Sequence, residues 1–340
     1  MRVRWRHLVF SAAATVAAGI LVAWLGVIDI RASTGHWRVT DWFLHWAMRS
    51  SVRTASLGTE VPDLSNPAYL PPAAGHYEAA CAGCHGSPER ARSPVTMGML
   101  PPPPALENVV GSWTDAQLFE IVKHGVRYTG MPAWPAQERD DEVWAMVAFL
   151  RRYPEIDADR YRRLAVLGQN QASADVQTLI TGCDACHAAS RLGKGSLTPM
   201  LDGQSETYLL ESLQAFRSDQ RASGIMKAAL LGLDQNTLAE LARIYAERPI
   251  RDRQEGVVPE LVSIGDAKRG IPACSDCHDK AGVNPAFPRL VGLQGDYVRN
   301  QLRLFRDDKR GGTKFHHLMV RSGKNLTDED IEALVRYHER

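Results

Sequence analysis

Six cysteines stand in three pairs of identical spacing: Cys81 with Cys84, Cys183 with Cys186, and Cys274 with Cys277. A histidine follows each pair at once: His85, His187 and His278. No cysteine is left over, so a disulfide framework has no need to be invoked. Two other chemistries use paired thiols. A zinc half-site wants a matched second pair of ligands, and a redox dithiol wants a βαβ setting. Neither explains a histidine repeated beside every pair in helical surroundings.

The spacing C-x-x-C-H is the attachment signature of c-type haem. The two thiols form thioethers with the vinyl groups, and the adjacent histidine reaches the iron from the proximal side. The chain therefore carries three covalently bound haems c. The sixth ligand of each iron must come from further along. Met131 is the first candidate, in Thr129-Gly-Met-Pro132, where Pro132 fixes the backbone behind the thioether. Met97 and Met99 lie too near His85 to cross to the far face and read as packing residues. Met226 is the second candidate, because its segment holds no histidine besides His187. Met319 is the third, standing seven residues before Leu326 as Met226 stands before Leu233; His316 and His317 beside it compete. A His/Met pair fills both axial positions, leaves no open iron site and raises the potential relative to bis-His ligation. That chemistry is outer-sphere electron transfer, not turnover of a substrate.

The elements that position these residues repeat three times. A helix leads into the motif, a Pro-containing loop follows, and one or two amphipathic helices, a methionine and a last amphipathic helix close each unit. The last helices are expected near 140–150, 234–245 and 326–337, with Val143, Trp144, Val147 and Leu150 as the apolar stripe of the first. Thr327 and Asp330 form a capping-box-like start for the third. The second and third units are internal copies: Leu213, Phe216, Arg217, Asp219 and Arg221 match Leu302, Phe305, Arg306, Asp308 and Arg310. Trp134, Tyr208, Tyr297 and the arginines at 217, 221, 306 and 310 read either as haem-packing and propionate-binding groups or as ordinary core and helix-surface residues.

The chain has 340 residues, 44% hydrophobic and 23% charged, with a formal net charge of +1, which gives no reason to expect nucleic acid. An uncharged run from Leu8 to Ile28 follows Arg2, Arg4 and Arg6. At about 21 residues it matches the hydrocarbon core of a bilayer. No small-residue cleavage site follows, so an uncleaved anchor is favoured over a signal peptide. The basic tail then stays in the cytoplasm and the rest faces the periplasm. Residues 36–53 are amphipathic, with Trp42, Phe43 and Trp46 on one side, and lie either on the membrane surface or on the first haem unit. His36 and His45 are read as stray interfacial histidines.

The motifs resemble those of class I c-type cytochromes over about residues 75–340. The C-terminal half, with Pro-x-Leu-x-Gly and Tyr-Leu-Leu-x-x-Leu-x-x-Phe-Arg, is similar to the di-haem cytochromes of the c-four type. Gly130-Met-Pro-Ala-Trp134 is similar to mono-haem domains of oxidase and dehydrogenase subunits. The resemblance implies an all-α fold: an anchor (1–30), an interfacial helix and linker (31–74), and three tandem cytochrome c domains (75–155, 156–256 and 257–340). It also implies His/Met ligation and electron delivery in a bacterial respiratory chain. The expected donor is a quinol-oxidising complex or a dehydrogenase, and the acceptor a terminal oxidase or small cytochrome. The other readings are the haem subunit of a periplasmic dehydrogenase, and a peroxidase or sulfur-compound oxidase.

Overall fold

The computed structural model describes residues 5–26, 30–31, 34–35, 37–165, 175–250, 257–279 and 282–338. Arg2, Arg4, Ile28 and His36 lie outside the described residues. Among the described residues the chain is helical throughout, with three isolated β-bridges and no strands.

Helix α1, Trp5–Trp24, has mean hydropathy 1.8 over its apolar window and none of that window is buried by protein. Its length, at about 1.5 Å per residue, suits a membrane span. Helix α2, Arg38–Ala55, leaves Trp42, Phe43 and Trp46 outward and half exposed or more. Its other side packs on helix α4 below, where the Arg49 guanidinium sits 4.6 Å from the Trp113 ring centroid.

The segment expected to be a Pro-rich tether instead ends in structure. Helix α3, Leu70–His76, buries Leu70, Ala73 and Ala74. Pro71 and Pro72 stand in its first turn, where a missing N–H costs nothing. Helix α4, Asp115–His124, opens with a reciprocal Thr114–Gln117 capping box. Helix α5, Asp140–Arg152, was expected to show one apolar stripe, yet every residue from Glu142 to Leu150 is buried. A helix apolar all round is one covered all round; α3 and α4 both pack on it. Helix α6, Ala158–Leu164, returns to α3, and its Tyr161 meets Tyr77 edge-on at 6.3 Å. Tyr77 also packs on Phe149 and Tyr153, at 5.4 and 5.2 Å. Such ring pairs add roughly 0.5–1.5 kcal/mol each beyond area burial. The anchor-side residues 67–74 and the residues of α6 thus share the core around the first motif.

The second set comprises α7 (Val176–His187), α8 (Glu206–Arg217), α9 (Gly224–Ala229) and α10 (Gln235–Glu247). The third comprises α11 (Cys274–His278), α12 (Gly295–Arg306), α13 (His316–Gly323) and α14 (Asp328–His338). Helix α8 packs on α10 as α12 packs on α14. The Thr327–Asp330 capping pair forms, with bonds of 2.9 and 3.2 Å.

The copying is visible in the backbone. Asp219 and Asp308, aligned in the repeat, both take left-handed conformations, at φ 59° and 56°. Phe216 and Phe305 each carry their own arginine, Arg221 at 4.3 Å and Arg310 at 4.4 Å. The stretches after α8 and α12 then pair antiparallel, Ala222 N–H to Arg310 O at 3.0 Å and Gly312 N–H to Gln220 O at 2.8 Å. Gly311 permits this approach: at φ 61°, a Cβ there would lie 2.1 Å from the Gln220 carbonyl oxygen.

Candidate functional site: three Cys-x-x-Cys-His centres

Each motif is delivered by a helix. In the first, a π-helical turn over Tyr77–Cys81 runs into Ala82–His85; in the others, α7 and α11 end on the histidine. The three histidines then make the same contact. His85 Nδ1 lies 3.0 Å from Pro104 O, His187 Nδ1 2.8 Å from Pro199 O, and His278 Nδ1 2.7 Å from Pro288 O. A carbonyl only accepts, so Nδ1–H donates and Nε2 is left as a lone-pair nitrogen. Burial lowers the pKa of all three imidazoles, which keeps them neutral. A neutral ring oriented by its other nitrogen is what an iron ligand requires. The accepting prolines were not singled out by sequence reasoning; the signal available was a Pro in the loop after every motif.

For four of the six thiols, burial opposes ionisation. Burial pushes Cys81 and Cys186 up to about 12, and Cys183 and Cys274 up to about 11. No group of three or more His, Cys, Asp and Glu side chains arranged for a metal ion occurs among the described residues.

The second centre opens onto a cavity of about 420 Å³, lined by Cys183, Cys186, His187, Met200, Tyr208 and Met226 among others. That volume lies in the range of cofactor pockets. Met200 directly follows Pro199, whose carbonyl holds His187, and is buried at 3% exposure. Met226 enters on a different element, α9. In the first centre, Met131 closes a tight turn: Val126 N–H bonds its carbonyl at 3.2 Å, and its own N–H bonds Thr129 Oγ1 at 3.1 Å. Gly125 makes room for that turn, since a Cβ there, at φ 65°, would lie 2.6 Å from the Met131 carbonyl. In the third, Met319 and His316 are partly buried on α13 while His317 is exposed.

Charge distinguishes the four aligned arginines. Arg217 bonds Gln235 and Arg306 bonds Asp328, both on the outer face of their helices. Arg221 and Arg310 are buried at 7% and 8% exposure where the second and third sets meet. Neither pairs with a described carboxylate. Their partners are phenols and an amide: Arg221 to Tyr297 at 3.2 Å, and Arg310 to Gln301 at 2.6 Å. For Tyr208, burial raises the phenol, but Arg221 and Arg310 outweigh it and bring the group down to about 8. Two buried cations facing only neutral groups are a cradle for anions. Haem propionates are anions of the required kind, so the residues fit the group. Trp134 belongs to the core instead: its ring lies 4.3 Å from that of His76 and its N–H bonds Glu142 at 3.3 Å. His76, which sequence reasoning passed over, is buried at 3% exposure, and burial pushes it down to about 4.

The comparisons with known proteins agree with this chemistry. The family model for cytochrome c oxidase, cbb3-type, subunit III matches residues 70–150. The chain is 30% identical to cytochrome c4 of Pseudomonas aeruginosa over 187 residues, 51% of this chain and 92% of that protein. It is 29% identical to the thiosulfate dehydrogenase electron acceptor of Thiomonas intermedia, over 46% of this chain and 76% of that protein. Reduced cytochrome c4 from Pseudomonas stutzeri aligns with a TM-score of 0.40 at 26% identity, covering 49% of this chain and 98% of that one. Helical sets built around Cys-x-x-Cys-His define a haem c protein made for electron transfer. The chain belongs to the cytochrome c family, with one half similar to the di-haem cytochromes c4.

Proposed function

We propose that this chain is a membrane-anchored tri-haem cytochrome that relays electrons in a bacterial respiratory chain toward a terminal oxidase. The observation that carries the reading is the threefold His–Pro contact, which turns one ring nitrogen of His85, His187 and His278 to a carbonyl and frees the other. Cys81 and Cys84, Cys183 and Cys186, and Cys274 and Cys277 would anchor three haems. Met131, Met226 and Met319 would complete the ligation. Haem c supplies reversible one-electron transfer at iron. The chain's own part is to fix ring orientation, exclude water from the thioethers and set charge near the propionates. Held by a histidine and a methionine each, the haems would leave no place for a substrate, and the protein would be a carrier rather than an enzyme.

The chain would fold as three tandem domains, the first expected over residues 75–155, with residues 67–74 and α6 packed against it. Helix α1 would be an uncleaved anchor, and the outward Trp42, Phe43 and Trp46 of α2 would rest in the interface beside it. The haem domains then face the periplasm. The donor would be a quinol-oxidising complex or a dehydrogenase, and the acceptor an oxidase or small cytochrome. The likeness to a thiosulfate dehydrogenase electron acceptor favours a second reading, a haem subunit serving a periplasmic dehydrogenase.

Intact mass and haem quantification of protein purified from membranes test the proposal together. Three covalent haems on a chain that retains its N-terminus are expected. Fewer haems, or a reduced protein that binds carbon monoxide stoichiometrically at all centres, would overturn it. Oxidase and dehydrogenase readings separate on which membrane complex co-purifies with the native chain.

A further inference from the structure

The cavity of the second centre is not walled by its own set alone. Arg139, the N-cap of α5, and Glu142 and Ala145 within that helix, which packs in the core around the first motif, line it as well. Glu142 is 5% exposed and its carboxylate is spent on the start of α9. Ser223 Oγ donates to it at 2.5 Å, Gly224 N–H at 2.7 Å and Ile225 N–H at 3.3 Å. Ser223 Oγ in turn accepts from the Met226 backbone N–H at 3.0 Å. Arg139 grips the same turn from its other side, donating to Ala222 O at 2.7 Å while pairing with Glu142 at 3.0 Å. Gly224 allows the approach, since a Cβ there would lie 2.6 Å from Trp134 Nε1. The equivalent helix α13 has no such support: its N-cap, Phe315, makes no side-chain capping bond.

We propose that Glu142, with Arg139, is a positioning residue for Met226. The first helical set holds the methionine ligand of the second centre, so ligation there depends on docking of the first. This rests on the reading of Met226 as an iron ligand. A buried carboxylate accepting several bonds fixes its partners more firmly than a solvent-exposed cap, because losing it leaves buried N–H groups unsatisfied. The contact therefore fixes the register and direction of the turn from which Met226 projects. It also makes the second centre unlike the third, although the two are copies.

The test uses full-length holoprotein carrying Glu142→Ala, Glu142→Gln, Ser223→Ala or Met226→Ala. The readouts are the methionine–iron charge-transfer band, stepwise potentiometry and carbon monoxide binding. Glu142→Ala is expected to lose one centre's share of the band, to lower one potential and to gain one carbon monoxide site, with all three haems still attached. Glu142→Gln keeps an acceptor oxygen and should restore much of the signature. If Glu142→Ala does not accumulate, Ser223→Ala, which removes only the hydroxyl linking Glu142 to the Met226 backbone, decides by the same measurements. Loss of the signature in Met226→Ala with none in Glu142→Ala or Ser223→Ala overturns the positioning role alone. An unchanged signature in Met226→Ala overturns the ligand reading beneath it.

Discussion

Arg221 donates through Nη2 to the Tyr297 hydroxyl at 3.2 Å, a buried contact that joins one copy of the repeat to the other. With Arg310 beside them, the junction holds two buried cations and no described carboxylate to balance them. Such cations oppose the extra positive charge of oxidised iron. Replacing Arg221 by Leu or Arg310 by Leu is expected to lower one or two of the three potentials, by an amount on the order of tens of millivolts for a partly screened unit charge. Potentiometric titration reads this directly. Arg217→Leu, on the outer face, should leave the potentials within a few millivolts, on the order expected for a solvent-screened charge. Equal effects from the outer and inner arginines would remove the propionate assignment.

The buried His76 sets an acid limit on the first helical set. Burial holds its pKa at about 4, below the ordinary value of 6.5. Above pH 6.5 the ring is neutral folded or unfolded and contributes no pH dependence. As pH falls from 6.5 toward 4, the unfolded chain takes up a proton that the folded chain refuses, and stability falls. The loss amounts to about 3 kcal/mol by pH 4. Denaturant titrations at several pH values should show that His76→Gln lacks this part of the acid sensitivity. A variant as acid-sensitive as the parent would show that the imidazole is not the cause.

Much of the site is legible in the sequence because its chemistry is local. Cys-x-x-Cys-His occupies five consecutive residues, and the capping pair Thr327–Asp330 only four. The repeat could be aligned residue by residue, down to Asp219 and Asp308 sharing a left-handed backbone. What escaped was non-local. Pro71 and Pro72 suggest a tether by composition, but in the first turn of a helix proline is tolerated, and burial of Leu70 and Ala74 decides the matter. Glu142 looks like an ordinary acidic residue favouring a helix start. Only the fold brings Ser223, 81 residues away, onto its carboxylate.

The pairing of the two copies should depend on one glycine. Gly311 sits at φ 61° with the Gln220 carbonyl in the space of any Cβ. Gly311→Ala must therefore open the Ala222–Arg310 and Gly312–Gln220 bonds or strain the backbone, at a cost of about 1–3 kcal/mol. Thermal unfolding should fall accordingly, and amide exchange at Ala222 and Gly312 should quicken. Gly193→Ala, where nothing lies within 4 Å of the added carbon, is the control expected to change little.

The third centre decides between sulfur and nitrogen. His317 is exposed, and its Nδ1 lies 3.1 Å from Lys314 O; His316 is partly buried, with Nδ1 3.1 Å from Thr313 O. Both rings keep Nε2 available, so hydrogen bonding alone does not choose. We propose Met319 by correspondence with the second copy: Met226 follows its N-cap Ser223 by three residues and Met319 follows its N-cap Phe315 by four, near the start of the matching helix. The nearby Phe315 packs edge-on against Phe287 at 5.2 Å, and Phe287 lies 6.4 Å from the His278 ring, so α13 begins close to the third histidine. Met319→Ala is expected to lose one centre's methionine–iron band and lower one potential, since a thioether is the ligand that raises it. His316→Gln and His317→Gln should leave both intact. A bis-histidine spectroscopic signature in the parent protein that disappears with His316→Gln would hand the sixth position to His316 instead.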